Sequence, residues 1–377
     1  MVTIAVTAER EGEPRVAVSP ETVKKLSALG ATVRVQQGAG AHSRFSDETL
    51  RAAGATISAN AGEALSGADI LLKVRRPSPE EAAALKPGAI VAAMLSPFDD
   101  RPGLQALAGT GASLMAMEFM PRISRAQSMD VLSSQANLAG YKAVVDAAAM
   151  FGQAMPMMMT AAGTVPAARV FIMGVGVAGL QAIATARRLG AIVSATDVRP
   201  ATKEQVASLG AKFIAVEDEE FKQAQTAAGY AKPMSAEYQK KQAELVANHI
   251  KTQDIVITTA LIPGRPAPKL ITTAMIESMK PGSVIVDLAA ERGGNTELTQ
   301  PDKVIEHKGV SIAGPLNLAG EVPVNASSLY AKNLLAFLET MIDKKERDLK
   351  VNWDDEIIKG TLVAKDGKIV HPSLQGA

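Results

Sequence analysis

The sequence contains no cysteine, which excludes disulfides, thiolate nucleophiles and cysteine-ligated metals. The lack fits a reducing cytosol. Aromatic residues make up only 3% of the 377 residues, too few for the stacking platforms of a nucleic-acid binder. Neither sign of charge dominates. Lys and Arg number 40 and Asp and Glu 39, a formal net charge of +1, and no basic block stands out, so no nucleic-acid partner is expected. The N terminus lacks a basic region ahead of an apolar core, and Glu9 and Glu11 come early, so no signal peptide is expected. The one long uncharged stretch, 147–168, is interrupted by Gly152, Gln153, Pro156, Gly163 and Pro166. A membrane-spanning helix needs about 20 predominantly apolar residues. The stretch reads instead as a buried helix end, a methionine-rich packing segment at 155–159 and a loop, without direct membrane insertion.

What is present centres on residues 169–197. An apolar run (169–173) reads as a strand, Gly174-Val175-Gly176-Val177-Ala178-Gly179 as a turn, 180–189 as a helix, and 191–196 as a second strand ending on Asp197. This is the order of a dinucleotide-binding βαβ unit. Gly174 permits the tight turn, Gly176 lets the backbone approach a pyrophosphate, and Gly179 lets the helix close on the strand. The helix N terminus, with the amides around Val175 and Val177, offers donors and partial positive charge to phosphates. Asp197 suits the two ribose hydroxyls and would repel a 2′-phosphate, favouring NAD(H) over NADP(H). An arginine at the place of Arg199 can accommodate such a phosphate; the alternative is a solvated side chain.

The overall class is α/β, with two Rossmann-like doubly wound parallel-sheet domains flanking a cleft. Strands at 3–6, 32–36, 70–74, 89–94 and 113–117 alternate with helices at 19–29, 46–53 and 79–85, a rhythm that implies a mostly parallel sheet. A long helix is expected over 138–155. The second domain then carries strands near Val170 and Ile192 and at 212–215, 254–258, 283–287 and 310–313, enough for two mononucleotide-binding halves. A helix at 327–342 is expected to return to the first domain, giving 1–137 plus 320–377 as a discontinuous first domain and 138–319 as the second. Residues 365–368 read as a turn or hairpin. Residues 217–235 exceed an ordinary crossover, and such long loops are commonly functional. Tyr230, beside Gly229, is the candidate lid residue.

The linker at 120–135 gathers Arg122, Gln127, Asp130 and Ser133, a mix of donors and acceptors suited to a nicotinamide carboxamide and its ribose. Here the sequence resembles a known family. Residues 121–141 are similar to the "RQD loop" of proton-translocating nicotinamide nucleotide transhydrogenase. The segments 157–165, 174–186, 195–199 and 258–264 resemble the same family's NAD(H)-binding component in its separately encoded form. The resemblance implies catalytic positioning by Arg122, Gln127, Asp130 and Ser133. It implies NAD(H) contacts from these and from Ser124, Arg125, Gly174, Val175, Gly176, Val177, Gly179, Asp197, Val198, Arg199, Gly229, Tyr230, Gln242, Ala260 and Leu261. Gln127 would reach toward NADP(H) held by a partner subunit. It further implies a homodimer, partnership with membrane-spanning subunits and an NADP(H)-binding β-subunit domain, and a cytoplasmic place, peripheral on the inner membrane.

The rival is alanine dehydrogenase, a relative of that family. Arg15 and Lys73 match its substrate contacts. Its catalytic histidine has no counterpart in Met94-Leu95-Ser96-Pro97-Phe98, and Glu291 stands where it has an aspartate before Gly293-Gly294. None of the 4 histidines is placed as a base. An amino-acid oxidoreductase moves protons as well as hydride, whereas exchange between two nicotinamides needs placement above all. A nucleotide-binding regulatory module without redox chemistry is the third reading.

Overall fold

A computed structural model of the chain describes residues 1–224, 234–262 and 264–375. Gly229 and Tyr230 therefore lie outside the described residues. By contact the chain divides into two units, Met1–Gln135 with Gly320–Ala377, and Ala136–Ala319.

The first unit opens with β1 (Thr3–Val6), α1 (Pro20–Ala28), β2 (Thr32–Gln36), β3 (Thr56–Ser58), β4 (Ile70–Arg75), β5 (Ile90–Met94) and β6 (Ser113–Ala116). These strands run parallel in the order β6-β5-β4-β1-β2-β3. The central strands are buried along almost their whole length, as a parallel sheet covered on both faces requires. Ser19 caps α1 in a reciprocal capping box with Thr22, with Pro20 in the first turn, so the start is written locally.

The linking helix α2 (Val131–Met150) starts and ends earlier than the expected 138–155. Asp130 accepts hydrogen bonds from the Ser133 amide at 2.9 Å and the Ser133 hydroxyl at 2.5 Å, supplying a cap ahead of the expected start. Beyond Met150 the expected packing segment is a hairpin, Met158–Thr160 paired with Gly163–Val165. Met157, Met158 and Met159 are exposed and only Met155 joins the core. The uncharged composition concealed a strand pair whose backbone bonds are made internally.

The second unit contains β7 (Arg169–Met173), α3 (Val177–Arg188), β8 (Ile192–Thr196), β9 (Lys212–Phe213), α4 (Ala236–Ile250), β10 (Ile255–Thr258), β11 (Val284–Asp287), β12 (Val304–His307) and β13 (Val310–Ala313). The sheet order is β9-β8-β7-β10-β11-β13-β12. All strands are parallel except β12, an antiparallel edge strand that the sequence reading missed. β9 is shorter than the expected 212–215. Chain order reverses about β7, which has β8 on one side and β10 on the other. In doubly wound sheets the ligand crevice opens at the carboxyl ends of the strands at this point.

The chain then returns through α5 (Pro323–Leu338), α6 (Glu356–Thr361), β14 (Leu362–Lys365) and β15 (Lys368–Ile369). Tyr330, Leu334 and Phe337 of α5 enter the core that also holds Ile4, Val33 and Leu72. β14 pairs antiparallel with β6 and with β15, so the expected turn at 365–368 is a hairpin that completes the first unit's eight-stranded sheet. Among the described residues no helix is long and apolar enough to cross a membrane, and no acid–histidine cluster could hold a metal.

Candidate functional site

The glycine turn joins β7 to α3. Gly174 has φ +100°, a conformation that side chains other than glycine's rarely adopt. A Cβ on Gly179 would lie 1.9 Å from the Gly174 carbonyl oxygen, so the helix can close on the turn only without one. A Cβ on Gly176 would meet nothing within 4 Å, which leaves open space over that peptide. Gly176 begins α3 with no side-chain cap, so the helix's first amides have no side-chain acceptor. Val175 differs. Its amide donates to Asp197 Oδ2 at 2.7 Å, which ties the turn to the end of β8 and commits that donor. Asp197 also accepts from Arg199 through its amide, Nε and Nη2. The ion pair pushes the Arg199 guanidinium pKa further above its ordinary range.

The loop after β10 is held from below. Thr259 donates to the Gly174 carbonyl at 3.0 Å. Asn295 accepts from the Ala260 amide at 3.0 Å and donates to the Ala260 carbonyl at 2.8 Å. Asp287, fully buried at the end of β11, accepts from the amides of Ala289, Asn295 and Thr296 and the hydroxyls of Thr258 and Thr299. Sequence reasoning missed Thr259, Asp287 and Asn295. The signal available was an acid closing a buried strand shortly before Gly293, Gly294 and Asn295. Gln242 on α4 donates to Thr196 at 3.1 Å and accepts from the Val216 amide at 2.9 Å, so its amide braces the end of β8. Val177, Val198 and Leu261 are exposed at the carboxyl ends of neighbouring strands and offer apolar surface there.

The residues expected to hold the nicotinamide belong to the first unit. Ser124–Met129 forms a 3-10 turn. Ala126 and Met129 are buried in the first unit's core, while Arg122, Ser124, Arg125 and Gln127 are exposed and Asp130 and Ser133 half-buried. Arg125 forms a two-pronged pair with Asp355, at 2.7 and 2.8 Å, which pulls the Asp355 carboxyl below the usual carboxylate range. It therefore anchors the segment to the N terminus of α6, a role the sequence did not show. Asn333 of α5 completes the anchorage, donating to the Ser128 carbonyl at 2.8 Å and accepting from Ser134 at 2.7 Å. Asn333→Ala is expected to lower stability by about 1–2 kcal/mol, the cost of leaving partly buried partners unpaired. Chemical denaturation checks it, and a change below about 0.5 kcal/mol would show the segment to be held by packing alone.

Two family descriptions cover this architecture. "Alanine dehydrogenase/PNT, N-terminal domain" matches residues 5–139 and "Alanine dehydrogenase/PNT, C-terminal domain" matches residues 143–372. The chain belongs to the alanine dehydrogenase/PNT family. Within that family it is 57% identical to an NAD(P) transhydrogenase subunit alpha protein of Rhodospirillum rubrum, over 99% of both chains. It is 47% identical to the like-named subunit alpha protein of Rickettsia prowazekii, over 98% of this chain and 96% of that one. The solved transhydrogenase from Sinorhizobium meliloti superposes with a TM-score of 0.89 at 57% identity, covering 98% of this chain and all of that one. An L-alanine dehydrogenase superposes at 0.83 with 25% identity, covering 99% and 98%.

Arg15 and Lys73, the residues that match the substrate contacts of alanine dehydrogenase, both bond within the first unit. Arg15 is buried, with Nε and Nη2 on the Glu13 carboxylate at 2.6 and 2.7 Å and Nη1 on Gln135 at 2.8 Å. Lys73 spends its three donors on Thr7, the Ala8 carbonyl and Glu81, at 3.1, 2.8 and 2.9 Å. Lys73 thus uses all three of its donors within the chain, and Arg15 three of its five. Among the histidines, His249 bonds Ser194 and packs edge-on against Phe171, His307 pairs with Glu277, and His371 contacts the Gly360 carbonyl. His42 lies exposed in a 3-10 turn.

The ion cluster makes stability pH-dependent. Burial, opposed by Lys73, pushes the Glu9 carboxyl from 4.5 up to about 7. Burial also acts to raise Glu13, but bonding and attraction from Arg15 and Arg75 outweigh it and bring that carboxyl down to about 2. Glu13 therefore stabilises the fold fully above 4.5, and the contribution is lost as pH falls toward 2. Glu9 has the opposite sign. Its contribution is full below 4.5 and is lost as pH rises through 7, because the folded state binds the extra proton. In Glu9→Gln the decline of melting temperature from pH 5 to pH 8 is expected to flatten. An unchanged slope in thermal melts would reject that assignment.

Proposed function

We propose that the chain is the NAD(H)-binding subunit of a proton-translocating NAD(P) transhydrogenase. Asp197 receives the adenosine ribose, the amides of Gly176 and Val177 at the uncapped start of α3 receive the pyrophosphate, and Val198 and Leu261 wall the adenine. This narrows the expected phosphate donors, since the Val175 amide already serves Asp197. Arg122, Gln127, Asp130 and Ser133 orient the nicotinamide, with the segment that bears them fixed by Arg125 and Asn333. The dihydronicotinamide supplies a hydride, two electrons with one proton, which passes to the nicotinamide of NADP⁺ on a partner subunit. No proton moves on a substrate heteroatom, so no general base is required. Placement at roughly 3–3.5 Å with water excluded is the catalytic demand. Membrane-spanning partners would couple the exchange to proton movement, and the chain would act as a homodimer on their surface.

The observation that carries this over the amino-acid oxidoreductase reading is the full-length likeness to a transhydrogenase subunit, 57% identical over 99% of both chains, read with the lack of a histidine in residues 94–98. The test is hydride transfer from NADH to an NADP⁺ analogue after addition of an NADP(H)-binding partner subunit. Turnover by the chain alone with pyruvate and ammonia would overturn the proposal. Gln127→Asn is expected to slow transfer at least about tenfold, a loss of about 1.4 kcal/mol in barrier lowering. NADH affinity should stay within about twofold, since the shorter amide misplaces the ring more than it unbinds it. Normal transfer with weakened binding would assign Gln127 to affinity instead.

A further inference from the structure

The Asp197 carboxylate is 7% exposed, and it is full. Oδ1 accepts from the Arg199 amide at 2.9 Å and Arg199 Nε at 2.8 Å. Oδ2 accepts from the Val175 amide at 2.7 Å and Arg199 Nη2 at 2.8 Å. A carboxylate offers about four lone-pair positions, and a ribose diol needs two of them. Two of the present donors are backbone amides, fixed by the glycine turn and the end of β8. The other two belong to one guanidinium, 32% exposed on a rotatable side chain. Nη2 also reaches the Val175 carbonyl at 3.1 Å, so the same group staples the strand end to the turn.

We propose that Arg199 is a place-holder for the ribose diol and a determinant of nucleotide specificity. It grips Asp197 while the site is empty and is displaced when the 2′- and 3′-hydroxyls arrive. This rests on the reading that Asp197 receives the adenosine ribose. Displacement breaks a two-pronged, charge-assisted contact, so NADH binds more weakly than it would to an unoccupied carboxylate. The guanidinium also offsets the charge that would repel a 2′-phosphate, and once released it stands ready to meet one. Arg199 therefore narrows the preference for NADH over NADPH from both sides.

The experiment is calorimetric titration of the whole chain with NADH and, separately, NADPH, using wild type, Arg199→Met, Arg199→Lys and Asp197→Asn. In Arg199→Met, NADH affinity is expected to rise about two- to fivefold, the scale of a partly exposed ion pair, while NADPH affinity falls. Arg199→Lys, which keeps the charge and loses the fork, is expected to lie between wild type and Arg199→Met for both nucleotides. NADH affinity that is unchanged or lower in Arg199→Met would overturn the proposal, since the guanidinium would then be neutral or favourable in the bound state. Parallel losses for NADH and NADPH would overturn it too, by marking a structural role. Failure of the underlying reading looks different. Wild type would not bind NADH, or Asp197→Asn would bind it as wild type does.

Discussion

Gly179→Ala is expected to cost the fold about 1–3 kcal/mol and to reduce NADH affinity at least about tenfold. The added methyl would lie 1.9 Å from the Gly174 carbonyl oxygen and 3.0 Å from its carbon. Both are backbone atoms in a turn already held by Thr259 and by the Val175–Asp197 bond, so neither partner yields as a flexible side chain would. Alanine's higher helix propensity returns about 1 kcal/mol, less than the overpacking takes when α3 must lift off the turn. Gly176→Ala supplies the contrast. Its Cβ would meet nothing within 4 Å, and φ is −80°, so the fold should lose less than about 0.5 kcal/mol. If the pyrophosphate lies over that peptide, the methyl occupies its place and NADH affinity falls at least tenfold with the melting temperature unchanged. Denaturation and calorimetric binding on both variants decide it. Full affinity in Gly176→Ala would remove the phosphates from this turn.

That contrast also marks where sequence reading works. The glycine turn, its strand and Asp197 are contiguous in chain and function, so their spacing carried the inference. β1, β2, β7 and β13 have the expected bounds because each is a buried run bounded by turn residues. The misses share a physical cause. β12 alternates exposed and half-buried positions at a sheet edge and lacks the apolar run of a central strand. The helix Arg101–Ala108, absent from the expected helices, has Pro102 and Gly103 in its first turn and depends on the Asp100 side chain capping Gly103. The second layer of the site was illegible for another reason. Arg125 meets Asp355, Ser128 meets Asn333, and Ala260 meets Asn295, all pairings made by the fold across long stretches of chain. Even Arg199, two residues from its partner, was readable only as an edge of the adenosine pocket or a seat for a 2′-phosphate, because sequence does not say whether a cation grips the acid or awaits the ligand.

Asp287 tests that second layer most severely. Its carboxylate is buried and gathers three amides and two hydroxyls, at 2.6–3.2 Å. In Asp287→Ala those five donors lose their acceptor together. Each orphaned buried donor costs about 1–3 kcal/mol. The costs do not add in full, because the loop 289–299 can relax and admit water, so the expected loss is about 3–5 kcal/mol, the range for breaking a buried charged network. The damage should reach the nucleotide. Asn295 donates its backbone amide to Asp287 and holds both the N–H and C=O of Ala260, so a loosened 289–299 loop releases the Ala260–Leu261 wall beside the glycine turn. Asp287→Asn keeps one acceptor oxygen but turns an NH2 toward donors, so it is expected to recover less than half of the lost stability. Chemical denaturation of both variants, with NADH titration under conditions where each remains folded, checks the chain of effects. A loss below 1 kcal/mol in Asp287→Ala would mean the loop is held by its packing. Full NADH affinity in a destabilised Asp287→Ala would show that Ala260 and Leu261 do not shape the site.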